Sequence, residues 1–260
     1  MAMGIGRVGG HVSLKVASSH HGRCEFDAAI FYGLAGGLTR LFSDYRRSRR
    51  AIYIDLGYWG RRKLSRWDGY HKLALNSRHP TAYFQDRPHS PDRFNQFRIP
   101  IQPWRKAGRH VLVVGMSAKA AGAEGLSPES WERSTIAKLK RLTDRPIVYR
   151  PKPNWAEAKP IAGAVFGRGP TLAEALVDCH AVVAHHSNAA VDALLAGVPC
   201  ICPEGVAAPL SARRLEDIEN LPMPDGREQW AADIAWTQWS IDEMQSGAAY
   251  RYLLDEGLLG

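Results

Sequence analysis

The sequence predicts an α/β protein whose second half is a doubly wound parallel sheet. Short apolar runs at 107–115, 146–150, 180–184 and 198–202 have the length, and the bounding Gly and Pro residues, of buried strands. Between them stand helix-start signals: Ser127-Pro128-Glu129, Thr171-Leu172-Ala173-Glu174 and Ser187-Asn188. The connections are short, as alternating strand–helix units require.

Taken in order, the first of these strands ends at Gly115, and a helix capped by Ser127 runs to about Leu142. A second strand, Pro146 to Arg150, is closed by Pro151 and Pro153. Thr171 caps another helix, His180 to Ala184 form a third strand, and Asn188 to Ala196 form a helix ending at Gly197. Val198 to Cys202 form the fourth strand. The first hundred residues read as a smaller, abbreviated α/β unit, with strands at His11–Ala17, Ala28–Tyr32 and Ala51–Leu56 and a helix at Leu38–Arg49. Residues 86–106, rich in Pro, Arg and polar groups, read as a linker, giving expected domains at 1–106 and 107–260. The tail, with Trp230, Trp236 and Trp239, reads as amphipathic helices that pack back with their tryptophans in a core. Gly4-Ile5-Gly6-Arg7-Val8-Gly9 matches a dinucleotide fingerprint in letters, but no strand precedes it, so a flexible leader is expected.

Composition narrows the classes. The 260 residues are 45% hydrophobic and 23% charged, enough to bury a real core. Neither a cleavable leader nor an apolar run of about 20 residues is present, so a soluble, cytoplasmic protein is expected. Cys24, Cys179, Cys200 and Cys202 read as reduced structural thiols. The sequence has no P-loop, no His-Glu-x-x-His, no Cys/His zinc spacing and no Asp-x-Asp, so neither a metal nor a cofactor is expected. Charge is uneven: residues 1–110 hold 20 Lys+Arg against 7 Asp+Glu (+13), and the remainder 14 against 19 (−5). A polyanionic partner for the first half is one reading, and a solvated basic surface is the other.

The most informative string is His185-His186-Ser187-Asn188-Ala189-Ala190-Val191-Asp192-Ala193-Leu194-Leu195-Ala196-Gly197-Val198-Pro199. A buried strand stops, two histidines cross the sheet edge, and Ser187 and Asn188 open a helix rich in small residues. The amide-rich, dipole-positive start of such a helix favours an anion, and a diphosphate suits it. The string resembles the donor side of GT-B glycosyltransferases, including the capsule-polysaccharide and phage families, and the resemblance covers residues 107–205. It includes Tyr149-Arg150-Pro151-Lys152-Pro153, similar to the family's basic Pro-Lys-Pro element, and Gly115-Met116-Ser117, similar to its loop beneath the sugar diphosphate.

The resemblance implies a GT-B-like fold of two Rossmann-like domains, the N-terminal one abbreviated, with a C-terminal helix packing back. It also implies a nucleotide-sugar donor, UDP-linked as a first guess, held by Gly115, Ser117, Arg150, Lys152, His186, Ser187 and Asn188. Arg150 would further stabilise the leaving nucleotide, and loop 167–171 would face the base. The family's ribose-binding Glu has no clear counterpart, Glu174 lying earlier and Asp192 later.

In the first half, Ile52-Tyr53-Ile54-Asp55-Leu56-Gly57-Tyr58-Trp59 places a carboxylate after a strand-like run. Asp55 is either the base that takes the acceptor's proton or a cap on the turn at Gly57. His20, His21, Asp68 and His71 are rival bases, and Asn76, Arg78 and His79 are candidates for the cleft wall. The resemblance puts acceptor recognition in this half, where Arg46, Arg47, Arg49, Arg50, Arg61, Arg62 and Lys63 lie among Tyr58 and Trp59. Cations for phosphates and rings for bases resemble phage-encoded DNA-base glycosyltransferases, which implies double-stranded DNA carrying a hydroxymethylated pyrimidine as acceptor. Capsule or lipopolysaccharide acceptors, or epimerisation of the donor itself, are the alternatives.

Overall fold

The computed structural model describes residues 1–19, 21–34, 36–61, 69–81, 88–153, 155–167, 169 and 171–259. Strands run in chain order as β1 (Ala28–Tyr32), β2 (Arg50–Arg61), β3 (Gly69–Leu75), β4 (His110–Val114), β5 (Ile147–Arg150), β6 (Val165–Phe166), β7 (Cys179–Ala184), β8 (Cys200–Ile201) and β9 (Gln238–Ser240). They form two sheets in two compact units, one of Met1–Phe97 with Gln229–Gly260 and the other of Arg98–Glu228. The tail, expected in the second domain, thus packs with the first.

In the second unit the five strands are all parallel, in the order β6-β5-β4-β7-β8. Every residue of β7 is buried, as a central strand covered on both faces requires. Val111, Val113, Tyr149, Ala181, Val183 and Ile201 share one core with Ile136 and Leu139 of the helix Ser130–Leu139. Gly197 ends the helix Asn188–Leu195 with φ +75°, and a Cβ there would lie 2.0 Å from the Pro103 carbonyl oxygen. Glycine is needed on both counts.

The first unit is a mixed sheet, β1-β2-β3-β9, with β1 parallel to β2 and the other pairs antiparallel. Behind it the helix Leu38–Ser48 presents Phe42 and Tyr45, three apart, to Phe31 and Tyr53. Strand β9 brings Trp239 opposite His71, and Trp239 is a core residue, as the tail tryptophans were expected to be. The Arg93 guanidinium lies 4.2 Å above the Trp239 ring and pairs with Glu243 at 2.6 Å, which fastens the 92–97 stretch to the tail.

Four local expectations change. His11–Val16 is an exposed stretch rather than a strand, and a short 3-10 turn, Ala17–Ser19, follows it. The leader is an ordered helix, Ala2–Arg7, whose Gly4 has no room for a Cβ beside the Met244 carbonyl. Glu129 rather than Ser127 stands at the start of the helix Ser130–Leu139, and a further helix, Ala118–Ala123, follows β4. Strand β2 continues through Gly57 to Arg61, with an irregular register after Leu56.

Gly197→Ala should destabilise the second unit by more than about 2 kcal/mol, combining left-handed strain with a clash against backbone. Chemical denaturation of the full chain measures it.

Candidate functional site

In the second unit's sheet β4 is central, the chain winds outward through β5 and β6 on one side, and β7 and β8 lie on the other. The loops after β4 and β7 therefore diverge at their carboxyl ends, the switch point where doubly wound sheets bind ligands. Both loops open helices with serine caps. Ser117 accepts from the Ala120 amide at 3.2 Å, and Ser187 accepts from the Ala189 amide at 3.3 Å. The cap sequence makes both turns, because a short hydroxyl side chain satisfies an otherwise unpaired first-turn amide.

Lys152, in the loop after β5, donates from Nζ to Ser187 Oγ at 2.7 Å. The structure thus brings together two of the residues expected to hold phosphate, at the first turn of the helix Asn188–Leu195. A cation beside a helix start is unfavourable alone, and an anion between them satisfies both. Arg150 is directed elsewhere. Its guanidinium, in a residue 8% exposed, donates to the Gly169 carbonyl at 2.8 Å. It lines a cavity of about 270 Å³ with His110, Gly167 and Glu174. Its hydrogen bond ties it to Gly169, and Gly167 lines the same cavity.

Beneath the Gly115-Met116-Ser117 turn lies Glu132, which is 0% exposed. Its Oε1 accepts the Met116 amide at 2.6 Å, and its Oε2 has no hydrogen-bond partner among the described residues. A Cβ on Gly115 would meet Tyr149 at 3.0 Å, so glycine lets the turn settle onto this pair. Burial raises the Glu132 pKa, and the Met116 hydrogen bond opposes the shift. Sequence reading missed Glu132, which looks like one more polar residue of a surface helix. The only signal was its first-turn position.

His185 and His186 face each other, Nδ1 to Nδ1, at 2.8 Å. Glu204 lies 4.0 Å from His185 and Glu124 4.0 Å from His186. Neither glutamate was legible as part of a site, since they sit far apart in sequence.

In the first unit, Asp55 lies within β2. Its Oδ2 accepts from Tyr53 Oη at 2.7 Å and its Oδ1 from the Leu56 amide at 2.8 Å. Its cross-strand neighbour is Lys72, a buried ammonium 5.8 Å from the rings of both Tyr53 and Tyr58. Burial brings the Lys72 pKa down to about 8, against the opposing pull of Asp55. Because β2 continues past Gly57, the reading of Asp55 as a cap on a turn there does not hold. Tyr58 and Trp59 are only 2% and 5% exposed, and Trp59 packs edge-on against Phe94. They are core residues and closed to stacking with a base. Arg46, Arg47, Arg49 and Arg61 are exposed, Arg50 is half-buried in β2, and Arg47 pairs with Asp44. His71 is buried, His21 is exposed, and Asn76 accepts the Ala51 amide. Arg62, Lys63, His20 and Asp68 lie outside the described residues.

Glu132 sets a pH dependence with a definite sign. Below the ordinary carboxylate range it is protonated whether folded or unfolded and carries no ionisation penalty. As pH rises the unfolded chain ionises first, so stability falls until the raised folded-state pKa is passed. Glu132→Gln keeps an acceptor for Met116 and removes that fall. Its stability relative to the parent should therefore grow between about pH 4 and pH 7, as urea titrations at both values would read.

No protein-family model matches the chain, and no curated protein matches it. Solved structures do match, among them the β-Kdo 2,4 transferase and the β-Kdo 2,7 transferase of Thermosulfurimonas dismutans KpsC. The first has a TM-score of 0.51 at 11% identity, over 80% of this chain and 79% of that one. The second has a TM-score of 0.52 at 11% identity, over 86% and 85%. The chain shares the GT-B-like α/β fold of these transferases.

Proposed function

We propose that the chain is a glycosyltransferase that takes a sugar from a nucleotide-linked donor and places it on a hydroxyl of a glycan acceptor. The observation that carries this is the Lys152–Ser187 contact at the switch point of the parallel sheet. A cation, a hydroxyl and a helix start together form a phosphate site. The transferases that share the fold support the reaction class, and their Kdo chemistry favours a glycan over DNA as acceptor.

In the proposed reaction the acceptor oxygen attacks the anomeric carbon. The bond from that carbon to the donor phosphate breaks with its electron pair, through an oxocarbenium-like state. Lys152 and the helix start offset the charge that collects on the departing phosphate. Gly115, Ser117, His186 and Asn188 surround the donor, and Arg150 acts through its hydrogen bond to Gly169. Asp55 is the proposed base, polarised by Tyr53, and takes the acceptor's proton. No metal enters these steps, and a UDP-sugar is the first donor to try.

A hydroxymethylated pyrimidine in DNA is the second reading, favoured by one observation, the exposed Arg46, Arg47 and Arg49. It loses the stacking contribution of Tyr58 and Trp59, which are buried.

The test is a panel of nucleoside mono- and diphosphate sugars, offered with oligosaccharide acceptors, with hydroxymethylated DNA and with no acceptor, and read by mass spectrometry. A sugar-sized mass gain on the oligosaccharide supports the proposal. A gain on DNA alone moves the acceptor to the second reading, and an altered donor without acceptor indicates an epimerase. Lys152→Ala and Ser187→Ala should each lower kcat/KM by about 10- to 100-fold, and Asp55→Asn by about 100-fold or more. Full activity in the Lys152 and Ser187 variants would remove the proposed phosphate site.

A further inference from the structure

We propose that Glu124, His185, His186 and Glu204 form a site for one divalent transition-metal ion of the zinc type. It shares His186 with the proposed donor site, but it rests on how these four side chains meet and not on the transferase reading.

They arrive from three places along the carboxyl edge of the second unit's sheet. Glu124 follows the helix Ala118–Ala123, the histidines follow β7, and Glu204 follows β8. One ligand atom from each lies within 4.8 Å of all the others. The two Nδ1 atoms are 2.8 Å apart, and each has a carboxylate oxygen at 4.0 Å. Around a tetrahedral ion with bonds of about 2.0–2.1 Å, neighbouring ligand atoms are roughly 3.3 Å apart. The observed spacings bracket that edge, so shifts of less than about 1 Å would close the shell.

The electrostatics and the supports agree. Two imidazole nitrogens at 2.8 Å need one proton between them, and an ion replaces that proton with a shared positive charge. Two carboxylates balance a dication. His185, His186 and Glu124 are largely shielded, while the Glu204 side chain is 51% exposed and leaves one side open to entering ions. The Glu204 amide donates to the His185 carbonyl, and the Trp131 ring meets His185 edge-on. These contacts orient ligands as supporting shells do. Two imidazoles with two carboxylates suit Zn²⁺, Co²⁺ or Fe²⁺ better than Mg²⁺ or Ca²⁺. Linear motifs could not reveal the set, because its glutamates lie 61 residues before His185 and 18 residues after His186.

The test uses the full chain without an affinity tag, stripped by chelator and titrated with Co²⁺ while the visible d–d bands are followed. One equivalent should bind with the strong bands of a four- or five-coordinate ion, and Zn²⁺ should displace it. His185→Ala and His186→Ala should each weaken binding by about 10-fold or more, and Glu204→Gln by about 10-fold. His11→Ala and His21→Ala, both at exposed positions, should leave the titration unchanged. Circular dichroism checks that each variant is folded. If either alanine variant does not fold, Glu204→Gln at its exposed position decides the question. No bands, bands that survive in folded His185 and His186 variants, unaltered binding in Glu204→Gln, or loss in the His21 variant would overturn the proposal.

Discussion

The second unit is organised around one electrostatic constraint: strands and helices that all deliver their polar ends to the same edge. In a parallel sheet every crossover helix starts just beyond a strand's carboxyl end, so amide-rich helix starts gather there. Around β4 and β7 this brings Ser117, Ser187, Lys152 and the histidine pair to loops of one edge. The buried core beneath, from Val111 to Ile201, keeps the edge in register. Glu132 and Gly115 hold the β4 turn down onto that core.

The first unit solves a different packing problem. Among the described strands its sheet has one parallel pair, and it is completed by a strand from the far end of the chain. That closure is cemented by aromatic rings and one arginine, with Arg93 lying over Trp239 and paired with Glu243. It also explains why Tyr58 and Trp59 are core residues, since Gln238 of the tail strand accepts both of their amide protons. The buried Lys72 beside Asp55 carries a desolvation cost that would fade as pH passes about 8 and rises toward the ordinary lysine value.

Much of the second unit was legible because buried parallel strands write themselves as continuous apolar runs punctuated by Gly and Pro. Cys179–Ala184 and the Ser187 cap are the plainest cases. Strand β3 was not legible, because His71 and Lys72 read as surface residues although the fold buries them. Strand β9 was hidden by tryptophans whose spacing fits a helix. In the candidate site, Ser187 was read from its place at a helix start, and Arg150 and Lys152 from the resemblance of Tyr149–Pro153 to a basic Pro-Lys-Pro element. The fold brings Lys152 to Ser187 and turns Arg150 to the Gly169 carbonyl, a direction that a linear motif does not encode. Glu124, Glu132 and Glu204 depend on tertiary contacts that no linear spacing encodes.

If the Lys152–Ser187 pair holds the donor's phosphate, a crystal structure of the chain with a bound nucleotide should show a phosphate oxygen within hydrogen-bonding distance of both Lys152 Nζ and Ser187 Oγ. A nucleotide seated in the second unit with its phosphates away from both groups would contradict that role for the pair.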